Sequence, residues 1–459
     1  MKKLIGSKRF YKMVLAICIP IVIQNGFTNL ASLLDNIMIG QLGTLSMSGV
    51  SITNQLLQVF NVTIFGAMSG PGIFMAQFYG KKNKEGVENC FRIKLIIGII
   101  IALLAIFLFY TFGQQLISLY LNDNPTDSLK TLNYGMNYLK IMLVGLIPFV
   151  ITQVYSSSLR ETGNTVLPMI ASVVAVIVNF CINYILIFGH FGFPEMGIQG
   201  AAVGTLTARM LELLIIVVYI WKIDTKVRLF DINLFRTIFS PENRKIWGAF
   251  FKVAFPIMCS GMIWAISVPM QTAILGHLSA DAIAANSVSS TFFQYLKVIV
   301  IAISSASAVV IGKDIGEGDI ERVKSDGRTL SVIDVLIGIV LASLLFVLRG
   351  PLLSMYKLTD TAAVLANHFI MIMSVVMVGM SYQMPVSVGV IQGGGDTRFS
   401  MYMNMISTWG IVMPLSFLAA FVWKLPVELV VVAVQSDQLF KGIPVFLRFR
   451  SYKWIHKLT

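Results

Sequence analysis

Asp35, in the stretch NLASLLDNIMIGQLG (residues 29–43), is the first side chain that needs a chemical explanation, because it lies inside an apolar run that begins near Met13. An ionisable group in hydrocarbon is costly and marks an ion pathway or a paired charge. Its own segment surrounds it with polar atoms. Gln24, Thr28 and Asp35 fall on one helical stripe, and Asn25, Asn29, Ser32 and Asn36 fall on the next. Farther along, Asn179 and Asn183 stand one turn apart in VNFCINYILIFG, and the following run carries Thr205, Arg209 and Glu212. At about 1.5 Å per residue, Asp35 lies roughly 7 Å below the run's end at Gly40, Asn183 roughly 9 Å below Gly189, and Arg209 roughly 13 Å below Gly200. One carboxylate with amide and hydroxyl groups at a common depth is suited to binding a proton or a small cation, with Asp35, Asn179 and Asn183 as the cation-binding set. Gln24, Thr28, Asn29 and Thr205 are the residues placed to face a substrate cavity beside it.

Plainer roles stand next to this one. Buried Asn and Thr also serve as hydrogen-bond glue between helices. Arg209 and Glu212, three residues apart, read as an internal ion pair. Lys140, at similar depth on another run, reads equally as a structural partner that keeps Asp35 ionised.

The elements that hold these groups are membrane helices. The 459 residues are 56% hydrophobic and 12% charged, with a mean hydropathy of +0.80, whereas a soluble domain carries roughly 25% charged residues. Twelve apolar runs, from 13–38 and 47–77 through 329–348 to 426–447, are each long enough to span a bilayer. The expected fold is all-α, with twelve transmembrane helices. The basic start MKKLIGSKRFYK resembles a signal-peptide flank, but the run after it continues without a small-residue cleavage site, so it reads as a retained first helix.

The net charge of +13 could suggest a polyanionic partner, but its distribution follows the membrane instead. Lys2 to Lys12, Lys81 to Lys94, Arg160, the stretch from Lys222 to Lys252, Lys313 to Arg328, Arg398 and Lys441 to Lys457 fall on one side. The other side holds Lys130, Arg349, Lys357 and Lys424. The positive-inside rule therefore places both termini in the cytoplasm, and no nucleic-acid partner is implied. Cys18, Cys90, Cys181 and Cys259 show no metal or disulfide spacing, and the four histidines show no metal motif. SAVVIGKD around Lys313 lacks the first glycine and the final Ser/Thr of a P-loop. With no enzyme motif, ATPase module or cofactor signature, work across the membrane would draw on an ion gradient.

The chain is also duplicated. An offset of 236 residues pairs Pro20 with Pro256, Gly40 with Gly276, Gly80 with Gly316 and Arg92 with Arg328. An offset of 232 pairs Gly163 with Gly395 and Thr165 with Thr397. This divides the chain into two pseudo-symmetric six-helix lobes, 1–221 and 251–459, joined by a cytoplasmic connector at 222–250. Paired halves that rock around an internal site are a recurrent transporter design. The second half has Gln271 at the repeat position of Asp35. Its Asp334 falls near the inner end of the 329–348 run, where water is expected to reach it. Methionines cluster from Met371 to Met413, as core packing or as an adaptable apolar surface.

The stretches PIVIQNGFTNLASLLDNIMIGQLG, MAQFYGKKN, LRETGNT, INYILIFGHFGFPEMGIQGAAVGTLTARMLE, IQGGGDT and RFRSYKW together resemble the multidrug and toxic compound extrusion (MATE) family. The resemblance implies an inner-membrane antiporter, expected as a monomer, with two lobes around a V-shaped cleft. It would export amphipathic, often cationic compounds in exchange for H⁺ or Na⁺. Asp35 matches the family's first-helix cation-site aspartate and Asn179 the asparagine beside it. Asn183 takes a position that is aspartate in some members, and the C-terminal-lobe carboxylates of the sodium-coupled branch are missing. The alternatives are a lipid-linked precursor flippase of the same superfamily, which would need a basic cavity for a pyrophosphate, and a non-transporting channel or scaffold.

Overall fold

A computed structural model describes residues 8–121, 125–223, 241–276, 278, 280–354, 356 and 358–459. Among these residues twelve helices are long and apolar enough to cross a membrane. They are α1 (Lys8–Gly40), α2 (Thr44–Gly80), α3 (Lys84–Ser118), α4 (Pro125–Glu161), α5 (Val166–Phe188) and α6 (Ile198–Ile223). The second set is α7 (Pro241–Gly276), α8 (Ala280–Glu317), α9 (Ile320–Leu353), α10 (Asp360–Ile391), α11 (Thr397–Val422) and α12 (Val427–Arg450). Most of the connector expected at 222–250, residues 224–240, lies outside the described residues.

Many of these helices extend past the apolar run that announces them, because their polar end turns are capped. Asn83 accepts a hydrogen bond from the Gly86 amide at 3.0 Å ahead of α3, and Asp319 accepts one from the Arg322 amide at 3.0 Å ahead of α9. The two caps also show the duplication in the backbone. Asn83 and Asp319 are partners at the 236-residue offset, and each follows a residue with left-handed backbone, Lys82 (φ 58°) and Gly318 (φ 87°). Gly163 (φ 86°) before α5 and Gly395 (φ 103°) before α11 share the left-handed backbone.

The chain forms two compact units. One contains residues 23–75 and 83–249, and the other contains the residues up to Val22, residues 76–82 and everything from Phe250 onward. Both α1 and α2 thus contribute to each unit. In the second unit, the first half of α1 packs Phe10, Val14, Ile17 and Ile21 into a core with Ala302 and Ala306 of α8, Leu330 of α9 and Val386 of α10. In the first unit, small residues let helices approach closely. A Cβ on Gly98 of α3 would lie 2.6 Å from a methyl of Val150 on α4, the packing expected where hydrocarbon supplies no drive between helices. The outer faces remain apolar, as on α3, where Leu104 is 57% and Phe107 63% exposed.

Candidate functional site

The candidate site lies within the first unit, where α1, α2, α4, α5 and α6 meet. The Asn183 side chain, fully buried, donates to Asp35 Oδ1 at 2.7 Å. Asn179, one turn earlier on α5, is assigned the amide orientation that satisfies both its groups, in which its nitrogen donates to the same oxygen at 3.1 Å and its carbonyl accepts from the Thr205 backbone at 3.2 Å. Two amides therefore hold one carboxylate oxygen. Gly204 makes this possible: a Cβ there would collide with Asn183 Oδ1. Without that side chain, α6 comes close enough to α5 for Thr205 to sit against the asparagine pair.

Asp35 lies on the wall of two cavities. The larger, about 460 Å³, is lined by Ser32, Asp35 and Asn36 of α1, by Ser51, Asn54, Gln55, Gln58 and Asn61 of α2, by Tyr138 and Phe149 of α4, and by Thr205 and Arg209 of α6. The smaller, about 90 Å³, is lined by Thr28, Ser32, Asp35, Asn179, Thr205, Arg209 and Glu212. Arg209 shares both with Asp35 but is already committed: its Nη1 lies 3.1 Å from Glu212 Oε2, and its guanidinium rests 5.1 Å from the centre of the Phe149 ring. A planar cation that is both ion-paired and stacked is a fixed wall of the site. The free charge facing the cavities is the carboxylate.

The residues singled out from the sequence divide accordingly. Asp35, Asn179, Asn183 and Thr205 come together, and Thr28 lines the smaller cavity while its hydroxyl bonds back to the Gln24 carbonyl at 2.9 Å. Gln24 and Asn29 are half-buried and line neither of the two cavities. Lys140 is exposed and also lines neither, so Arg209 is the basic residue beside Asp35.

Sequence reasoning missed the α2 row and Tyr138. The row was visible in SITNQLLQVFN (residues 51–61), whose Ser51, Asn54, Gln55, Gln58 and Asn61 repeat at helical spacing; without a charge it drew no attention. Tyr138 is buried and reaches Thr205 with its hydroxyl, a contact that only the packing of α4 on α6 creates.

Some sequence expectations change. Asp334, expected within reach of water, is 1% exposed. Its helix starts at Ile320, well before the apolar run, and Cys18 of α1 is near it. Lys441 and Lys94, grouped by sequence with the loop cations, are buried. Lys441 bonds Asp437 at 2.7 Å and Asn404 Oδ1 at 3.1 Å, while Lys94 pairs with Glu161 and bonds Ser157 at 3.1 Å.

Twelve spanning helices in a duplicated arrangement, with a polar, carboxylate-bearing cavity enclosed by one unit, define a multi-pass membrane transporter. The chain belongs to the MatE family of multidrug efflux transporters, which are not enzymes: the family model matches residues 20–185 and again 256–418, and the two matches begin at the proline pair that set the internal offset. A probable multidrug resistance protein NorM of Thermotoga maritima is 24% identical over 450 residues, covering 96% of this chain and 93% of the relative. The multidrug resistance protein MdtK of Pectobacterium atrosepticum is 22% identical over 408 residues, covering 88% of this chain and 86% of its own length. An outward-facing multidrug resistance MATE transporter of the MOP superfamily shares the fold with a TM-score of 0.86 at 20% identity, covering 98% of this chain and 96% of that one.

Proposed function

We propose that the protein is an antiporter that exports amphipathic, often cationic small molecules across the cell membrane in exchange for H⁺ or Na⁺. Asp35, Asn179 and Asn183 serve as the ion site, and the larger cavity beside them, with Thr205 on its wall, receives the organic cation. The supporting observation is that one carboxylate, held by two amides, faces both cavities. An ion and an organic cation then compete for the same charge. Exchange follows when each favours a different state of the protein. The basic residues distribute as for cytoplasmic termini, the protein works as a monomer, and the two repeats act as the lobes of an alternating-access cycle.

A flippase for a lipid-linked pyrophosphate is the weaker reading. Such a headgroup calls for free basic side chains, and the basic residue on the larger cavity, Arg209, is neutralised by Glu212. The test is efflux of ethidium or norfloxacin from cells that make equal amounts of wild type and Asp35→Asn. The variant is expected to fold and to lose export. Wild-type efflux in the variant would remove Asp35 from the mechanism.

A further inference from the structure

Asp334 is a second carboxylate within the spans, and its surroundings differ in kind from those of Asp35. It is 1% exposed, and among the described residues neither of its oxygens has a hydrogen-bond partner. Ser331 precedes it by one turn and shares its helix face. From α10, Tyr382 brings its hydroxyl against Ser331 and near Asp334, without bonding the carboxylate. Among the described residues, the titratable groups near Asp334 from neighbouring helices are this phenol and the free Cys18 thiol of α1. The apolar part of the core shared by these helices includes Ile17 and Ile21 of α1, Ala302 and Ala306 of α8, and Ile333 and Ile337 of α9.

A carboxyl kept only to join helices would use its hydrogen-bonding capacity, as buried polar groups do. This one uses none, although a phenol stands near it on the facing helix. A carboxylate and two hydroxyls supply hard oxygen ligands, the kind that small hard cations take. Ser331 and Tyr382 also edge a groove of about 580 Å³ whose other walls include Leu336, Ile443 and Phe446. The arrangement is not a duplicate of the Asp35 site, whose repeat position is Gln271. The repeat position of Asp334 is Gly98, where even a Cβ would lie 2.6 Å from Val150.

We propose that Asp334, Ser331 and Tyr382 form a second cation site, separate from Asp35, that takes one monovalent cation, a proton or Na⁺. The experiment uses purified full-length protein without any drug, so a failure to export drugs would leave its result standing. Equilibrium ²²Na⁺ binding and infrared difference spectra of the carboxyl groups between acid and alkaline pH are recorded for wild type, Asp35→Asn, Asp334→Asn and the double variant. One cation-dependent carboxyl signal, seen as bound ²²Na⁺ in the sodium arm or as a titrating band in the proton arm, should survive Asp35→Asn and disappear with Asp334→Asn. Tyr382→Phe should weaken that binding by roughly tenfold. Identical ²²Na⁺ binding and identical carboxyl spectra in wild type and Asp334→Asn would overturn the proposal. If Asp334→Asn does not fold, Tyr382→Phe decides: weakened binding supports the site, and unchanged binding together with an unchanged carboxyl titration overturns it.

Discussion

Asp35 and Asp334 are the same residue type, each set within an apolar helix, yet the two units treat them in opposite ways. Asp35 receives two side-chain amides on one oxygen and stands on the wall of two cavities. Asp334 is 1% exposed and receives no hydrogen bond among the described residues. Removing a charge from water costs several kcal/mol unless partners replace the lost hydration. At Asp35 the replacement comes from α5, whose asparagines reach the carboxylate because Gly204 has no side chain. At Asp334 the facing helices bring a phenol and a thiol that stop short of it. The role of a membrane carboxylate is therefore decided by what neighbouring helices deliver to it, more than by its own depth.

Three variants sharpen this contrast, taken from the largest expected effect to the smallest. Gly204→Leu forces a side chain into the space of Asn183 and should abolish export, while overpacking lowers stability by about 1–3 kcal/mol, as read by detergent melting alongside efflux. Normal efflux from this variant would mean that the approach of α5 to α6 does not build the site. Asn183→Asp places a second carboxylate against Asp35, where the two repel unless a cation lies between them. The variant should fold, and its transport should change in pH or Na⁺ dependence. Unaltered dependence on both would separate Asn183 from the ion. Asn54→Ala with Gln58→Ala removes part of the α2 row from the larger cavity and leaves the amides on Asp35 in place. KM for the exported cation should rise severalfold with ion dependence retained, whereas a shift in ion dependence alone would merge the two functions assigned to neighbouring walls.

The helix count and the duplication were legible because both are written in local pattern: spans in apolar run length, the repeat in glycines and caps that recur at offsets of 236 and 232 residues. The meeting of Asp35 with Asn183 was legible because equal depth on three helices is a strong constraint. The burial of Asp334 was not. Its run begins at 329, but its helix begins at Ile320, and the first half of α1, far away in sequence, contributes to the core around it. Lys441 misled for a related reason. A lysine near the end of an apolar run looks like a cytoplasmic flank, and only the fold shows Asp437, one turn earlier, and Asn404 on α11 closing around it. The uncharged α2 row was visible, yet its direction depends on tertiary packing.

The central claim is that Asp35 couples the outward movement of an organic cation to the inward movement of an ion. Its most direct test is exchange in proteoliposomes carrying equal amounts of folded wild type or Asp35→Asn, with a pH-sensitive dye and ²²Na⁺ reporting the ion while an organic cation gradient is imposed. The account predicts that the drug gradient drives H⁺ or ²²Na⁺ across the membrane through the wild type, and that it drives neither through the variant, because the amide cannot release a proton and lacks the charge to hold Na⁺. Drug-driven ion movement at the wild-type rate through Asp35→Asn would contradict it.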